Sequence, residues 1–124
     1  MKRNNIHKLD SFEIYQLAKK LAVYIYGITK EFPKDEKFGL TSQIRRCVSS
    51  IGANIAEGYG RYHYKDEVRF DHIARGSLFE LHFHIELARE FGYISTTELD
   101  EVLRMGRNLG IKLNNYISYL RNKS

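Results

Sequence analysis

The sequence predicts an all-α fold, an antiparallel up-down-up-down four-helix bundle occupying residues 1–124 as a single domain. Three observations carry this. Four long stretches place apolar residues three and four apart, the spacing that lines one face of a helix. No stretch alternates apolar and polar residues as a half-buried strand does. The connections are short, with one proline, Pro33, and no Gly/Ser-rich linker, so sequential helices must lie antiparallel.

The first helix is expected over about 11–29. Asp10 and Glu13 have the spacing of a capping box, and Ile14, Leu17, Leu21, Tyr24, Ile25 and Ile28 form its core face. Phe32-Pro33 ends it, because a residue before proline is pushed out of the helical region. The second helix is expected over about 36–58, with Gly39 able to break its first turn. Leu40, Ile44, Val48, Ile51 and Ile55 make an apolar stripe, and Gln43, Arg46, Ser50, Asn54 and Glu57 a polar one. Ser42, Ser49, Gly52, Ala53 and Ala56 fill the remaining arc, so neighbours are expected nearly all round this helix. The third helix is expected over about 65–91, with Gly92 as its C-terminal cap. Phe70, Ile73, Ala74, Ser77, Leu78, Leu81, Ile85 and Ala88 form its core face. The fourth is expected over about 96–121, opened by the capping box Ser95 and Glu98. Its core face is Leu99, Val102, Gly106, Leu109, Leu113, Tyr116, Ile117 and Leu120.

The net charge is +5, and its distribution says more than its total. Residues 76–101 carry one basic and six acidic side chains, whereas residues 102–124 carry five basic and none acidic. Up-down topology then gathers Lys2, Arg3, Lys8, Arg61, Lys65, Arg69, Arg121 and Lys123 at one end. Glu31, Asp35, Glu36, Glu86, Glu90, Glu98, Asp100 and Glu101 fall at the other. Clustered Lys/Arg is the electrostatic footprint of a phosphate-binding surface, although charged helix ends also serve solvation alone. The segment from Gly58 to Lys65 interleaves tyrosines with basic groups, so Tyr62 is a candidate base-stacking ring. The alternative is that these tyrosines pack on the end of the bundle. Arg61, Tyr62, Lys65, Arg69, Arg121 and Lys123 are the expected nucleic-acid contacts.

Two helices carry more apolar surface than one core needs. Val68, His72, Gly76, Phe79, Phe83 and Leu87 form a second stripe on the third helix, and Phe12, Tyr15, Ala22, Val23 and Tyr26 one on the first. Phe79, Phe83, Leu87, Phe12, Tyr15 and Tyr26 are therefore the expected interface of a homo-oligomer. Arg45, Arg46, Glu57 and Glu80 are expected to form a structural ion-pair network. Arg46 and Glu57 are too far apart to pair within one helix, so their partners are expected on other helices or subunits.

Catalytic chemistry finds little support. Ser49 and Ser50 have no evident histidine base. His82 and His84 point about 200° apart on a regular helix, and Cys47 is the only cysteine, so neither a disulfide nor a metal site is expected, and no cofactor. Arg75 and His82 share a helix face at a spacing resembling the Arg-x4-6-His pattern of HEPN ribonucleases, which leaves RNA cleavage as an alternative. No apolar run reaches the ~20 residues that cross a membrane, and no apolar stretch follows the basic start, so a cytoplasmic location is the default expectation.

From Gly39 to Arg61 the chain resembles the bacterial "four helix bundle protein" family. That family includes proteins encoded by intervening sequences of large-subunit ribosomal RNA genes and the accessory variability determinant of diversity-generating retroelements. The pattern extends through Ile25-Tyr26, Phe32-Pro33, Phe38-Gly39-Leu40, Gln43, Arg45-Arg46, Asn54-Ile55-Ala56-Glu57-Gly58, Gly76-Ser77-Leu78 and Glu80-Leu81. Phe12 stands where the family often has tryptophan, and Gly52 where it often has proline. The resemblance implies a four-helix bundle without established enzymatic activity. For retroelement members it implies a ring-like homopentamer that binds nucleic acid through basic surface and partners a reverse transcriptase. A pure protein-interaction scaffold is the rival reading.

Overall fold

The computed structural model describes residue 2 and residues 4–123; Arg3, expected at the basic end, lies outside the described residues. The elements are α1 (Ile6–Asp10), α2 (Glu13–Thr29), α3 (Leu40–Tyr59), α4 (Tyr64–Glu90) and α5 (Thr96–Arg121), and no strand occurs among the described residues. α2 packs on α3 and α5, α3 on α4, and α4 on α5, which closes a four-helix bundle. Glu36 before α3 meets Tyr93 after α4 at one end, and Phe12 meets Tyr59 and Tyr116 at the other, so chain neighbours run antiparallel.

The helix starts show where local chemistry prevailed over the simple pattern. The Asp10–Glu13 capping box does not form. Residues 6–10 make their own short helix, capped by the Asn5 side chain accepting from the Lys8 N–H. The backbone at Phe12 is extended, with no side-chain cap, and its ring stacks on Tyr59 at 4.7 Å and leans on Tyr116 at 4.9 Å. α3 begins at Leu40 rather than 36, because Lys34–Glu36 forms a 3-10 turn after Pro33. Glu36 then serves as the cap from outside: one carboxylate oxygen accepts from the Leu40 N–H at 3.0 Å and the other from the Tyr93 hydroxyl at 2.8 Å. These bonds hold the Glu36 carboxyl below the usual range.

The other boundaries follow the expected signals. Gly92 has φ +78°, and the N–H groups of Gly92 and Tyr93 donate to the carbonyls of Arg89 and Ala88. That is the Schellman closure, for which glycine alone is unstrained. Ser95 and Glu98 make the reciprocal capping box of α5. α3 runs unbroken through Gly52, whose bare Cα faces the Ala18 methyl.

Leu21, Ile25, Ile44, Val48, Ile51, Ile55, Leu81, Ile85, Leu109 and Leu113 are fully buried and form the core. The face of α4 differs from expectation. Ile73 is 47% exposed and Phe70 only half-buried, while Glu67 and Asp71 are buried. The inward face runs through 67, 71, 74, 78, 81, 85 and 88, a four-three repeat in which the first two members are acids.

Glu67 anchors a polar network at the end of the bundle, and Asp71 is buried beside it. Lys2 reaches in with its side chain 3% exposed and pairs with Glu67 at 2.8 Å. Its ammonium also donates to the carbonyls of Gly58 at 2.9 Å and Tyr59 at 2.8 Å, where α3 ends. The Tyr116 hydroxyl of α5 donates to the second Glu67 oxygen at 2.8 Å. Asp71, one turn on, has a buried oxygen without a hydrogen-bond partner. Burial, reinforced by the Glu67 charge and opposed by Lys2, pushes its carboxyl from 3.8 up to about 8.

Two predictions follow from this packing. A methyl at Gly58 would lie 2.9 Å from the Phe70 Cβ and 3.1 Å from the Glu67 carbonyl oxygen, with no flexible side chain to yield. Gly58→Ala should therefore lower unfolding free energy by about 1–3 kcal/mol in urea melts, with the helical signal retained. Asp71 binds a proton in the folded chain that the unfolded chain releases between its two pKa values, so its contribution to stability falls as pH rises through that interval. Asp71→Asn should thus lose less stability than the parent between about pH 5 and about pH 8; equal losses would overturn the assignment.

Candidate nucleic-acid interface

The expected basic end exists, with a different membership. Lys2 leaves it, because its ammonium is spent inside the bundle. Lys65, Arg69 and His72 recur at four and three along the outer face of α4 and are all exposed. His72, outside the expected contact set, joins it because the Arg121 guanidinium of α5 donates to its Nε2 at 2.9 Å. Lys123 sits over the Tyr119 ring, 5.3 Å from its centroid. The guanidiniums of Arg61 and Arg69 flank the half-buried Phe70 ring at 4.7 and 5.6 Å. Glu67 and Asp71 belong to the same helix but are buried, so they do not dilute this face. The tyrosines divide: Tyr59 packs under Phe12, Tyr64 is half-buried, and Tyr62 is 57% exposed with its ring edge-on to His63.

The polar stripe of α3 is satisfied largely within the chain. Glu57 pairs with Arg61 at 3.6 Å, one turn along, rather than with another helix of the chain. Arg45 reaches α2, donating to the Thr29 hydroxyl at 2.9 Å and the Tyr26 carbonyl at 3.3 Å, with its guanidinium over the Tyr26 ring. Asn54 donates to the Ser50 carbonyl and hydroxyl, and Ser50 bonds Ser77 of α4 at 3.0 Å. Gln43 and Arg46 are exposed. Glu80 takes His84 as its partner at 3.3 Å and accepts from the Cys47 thiol, which holds its carboxyl below the ordinary value.

The residues expected at an oligomer interface also separate. Phe12 is covered inside the chain; Tyr15 and Leu87 are half-buried; Tyr26 lies beneath Arg45 and bonds Ser49. Phe79 and Phe83 stay 64% and 60% exposed on α4, continuing the line begun by Lys65, Arg69 and His72. Beside Phe79 a groove of about 410 Å³ opens between α4 and α5, floored at Gly106 and Gly110 and flanked by Arg75, His82 and Arg107. Arg75 and His82 do share this groove, with Arg75 over the Phe79 ring and His82 3.5 Å from Glu86. Among the described residues no helix is long and apolar enough to cross a membrane.

The comparisons with known proteins bear on family and fold. No curated protein matches the chain. A protein of unknown function from the S23 ribosomal protein family of Bacteroides thetaiotaomicron has a similar structure, with a TM-score of 0.78 and 24% identity. The match covers 84% of this chain and 97% of that one, and at this identity it speaks for the fold alone. The family described as 23S rRNA-intervening sequence protein matches residues 10–115, nearly the whole bundle, and the chain belongs to that family.

Proposed function

We propose that the protein is a non-enzymatic nucleic-acid-binding bundle that holds RNA or DNA by its backbone. The observation that carries the reading is the outer face of α4. Lys65, Arg69 and His72 line it, Arg121 joins from α5, and Glu67 and Asp71 are turned inward, which leaves the half-buried Asp66 as the acid beside it. Such a surface attracts phosphate without distinguishing bases, and the exposed Tyr62 ring offers a stacking platform nearby. The family's association with ribosomal RNA genes supports RNA as the first substrate to try. Binding to structured RNA should weaken steeply with salt, by about 0.9 log units in K per tenfold salt for each phosphate contact. Lys65→Glu with Arg69→Glu should reduce affinity at low salt at least tenfold with the helical signal intact; unchanged affinity would overturn the reading in favour of a protein-interaction scaffold.

Self-association is the second part of the proposal. Phe79 and Phe83 expose a pair of aromatic rings one helical turn apart, the kind of patch that a partner surface covers. A closed ring, such as the pentamer that the family resemblance implies, would bring several cationic faces together, and a reverse transcriptase or another nucleic-acid enzyme is a suitable partner for it. Phe79→Glu with Phe83→Glu should lower the mass in light scattering towards that of one chain. The ribonuclease alternative keeps one support, the shared groove of Arg75 and His82. RNA cleavage that disappears in His82→Ala would replace the non-enzymatic reading.

A further inference from the structure

A second constellation lies on the seam between α3 and α4, and its argument does not depend on nucleic-acid binding. α3 buries Cys47, and α4 places Glu80 and His84 four residues apart beside it. The Cys47 Sγ, a Glu80 carboxylate oxygen and a His84 ring nitrogen all lie within 4.8 Å of one another. Among the described residues no other three such donors come so close. A tetrahedral ion with bonds of about 2.0–2.3 Å asks for donors about 3.3–3.8 Å apart, so side-chain adjustments of about an ångström would complete the geometry.

His84 supplies an independent observation. Its Nε2 is 3.3 Å from Glu80, and its Nδ1 is buried with no hydrogen-bond partner. A neutral imidazole that donates through one nitrogen carries a bare lone pair on the other, and here nothing donates to it. The alternative tautomer does not remove the deficit, since it leaves a buried Nδ1–H without an acceptor. With the ring proton on Nδ1, the Nε2 lone pair beside Glu80 is available to a cation.

We propose that Cys47, Glu80 and His84 bind one divalent ion of the zinc class, with a fourth position open to water on the half-exposed side of Glu80. Sulfur, nitrogen and a single carboxylate suit a borderline-soft ion, whereas magnesium and calcium require mainly oxygen. Binding forms a metal–sulfur bond as the Cys47 S–H bond breaks, and the proton passes to solvent; no electron is transferred. Burial pushes the free thiol up to about 12, so without an ion it stays protonated. The ion must displace that proton, and binding tightens as pH rises. Glu80 and His84 favour the cation, and the neighbouring Arg46 charge opposes it. The bound ion would clamp α3 to α4 beside the Ser50–Ser77 bond.

The test is cobalt titration of the tag-free, full-length chain after chelator treatment. One equivalent should bind, with a thiolate-to-cobalt charge-transfer band and the intense visible bands of a tetrahedral site, both removed by added zinc. Cys47→Ser should lose the charge-transfer band. Because that position is buried, Glu80→Gln, at an exposed side chain, and His84→Ala, at one 16% exposed, supply the decisive comparison. Each should weaken cobalt at least tenfold with an unchanged circular dichroism spectrum. A parent chain without the charge-transfer band, or equal affinity in both α4 variants, would overturn the site. Since the α4 variants leave Lys65 and Arg69 in place, their RNA affinity should match the parent's.

Discussion

Two carboxylates inside a small helical bundle set the terms for everything at its basic end. An ionised acid taken out of water needs a partner charge and bonds to its remaining oxygens, and an apolar core offers neither. Lys2 brings the charge to Glu67, and Tyr116 brings the bond. Because the same ammonium also ties down the last carbonyls of α3, one side chain joins the start of the chain to α3 and α4, and Glu67 extends the link to α5. Gly58 is part of the same arrangement: its missing side chain lets α3 approach α4 closely enough for the network to close.

The network also shapes the surface by subtraction. Glu67 absorbs the lysine that would otherwise add to the cationic face, yet both acids are withdrawn from that face as well. What remains outside is Lys65, Arg69, His72 and Arg121 in sequence along two adjacent helices. The aromatic pair Phe79 and Phe83 lies farther along the same line on α4. One helix therefore carries three chemistries along its length: acids within, cations outside at its start, and exposed rings outside at its end.

Much of this was legible in the chain. Apolar spacing located all four long helices, and glycine at 92 with serine at 95 marked an end and a start because each solves a local backbone problem. The inward face of α4 was not legible, since reading apolar residues alone treats Glu67 and Asp71 as interruptions and rotates the face towards Ile73. Only the four-three repeat continued through polar positions would have found it. Lys2 carries no local signal at all, because its partners lie on two distant helices, α3 and α4. Cys47 likewise looks isolated until the next helix supplies Glu80 and His84; three histidines on one helix drew attention to a periodicity that excludes them from a shared site. The family pattern included Gln43, Arg45 and Asn54 without stating their work: Arg45 ties α3 to α2, and Asn54 donates within α3 to Ser50, which bonds Ser77 of α4.

The position of Lys2 has a consequence for the order of events during synthesis. Lys2 leaves the ribosome well before the partners it needs, since Glu67 follows it by 65 residues and Tyr116, which completes that site, comes later still. The core helices α2, α3 and α4 have enough apolar surface to begin docking as they emerge. The segment around Lys2, although made before α3 and α4, finds its final place only once both have formed. It is therefore the latch of the fold rather than its seed, and the base, made early, waits for the acid it will pair with.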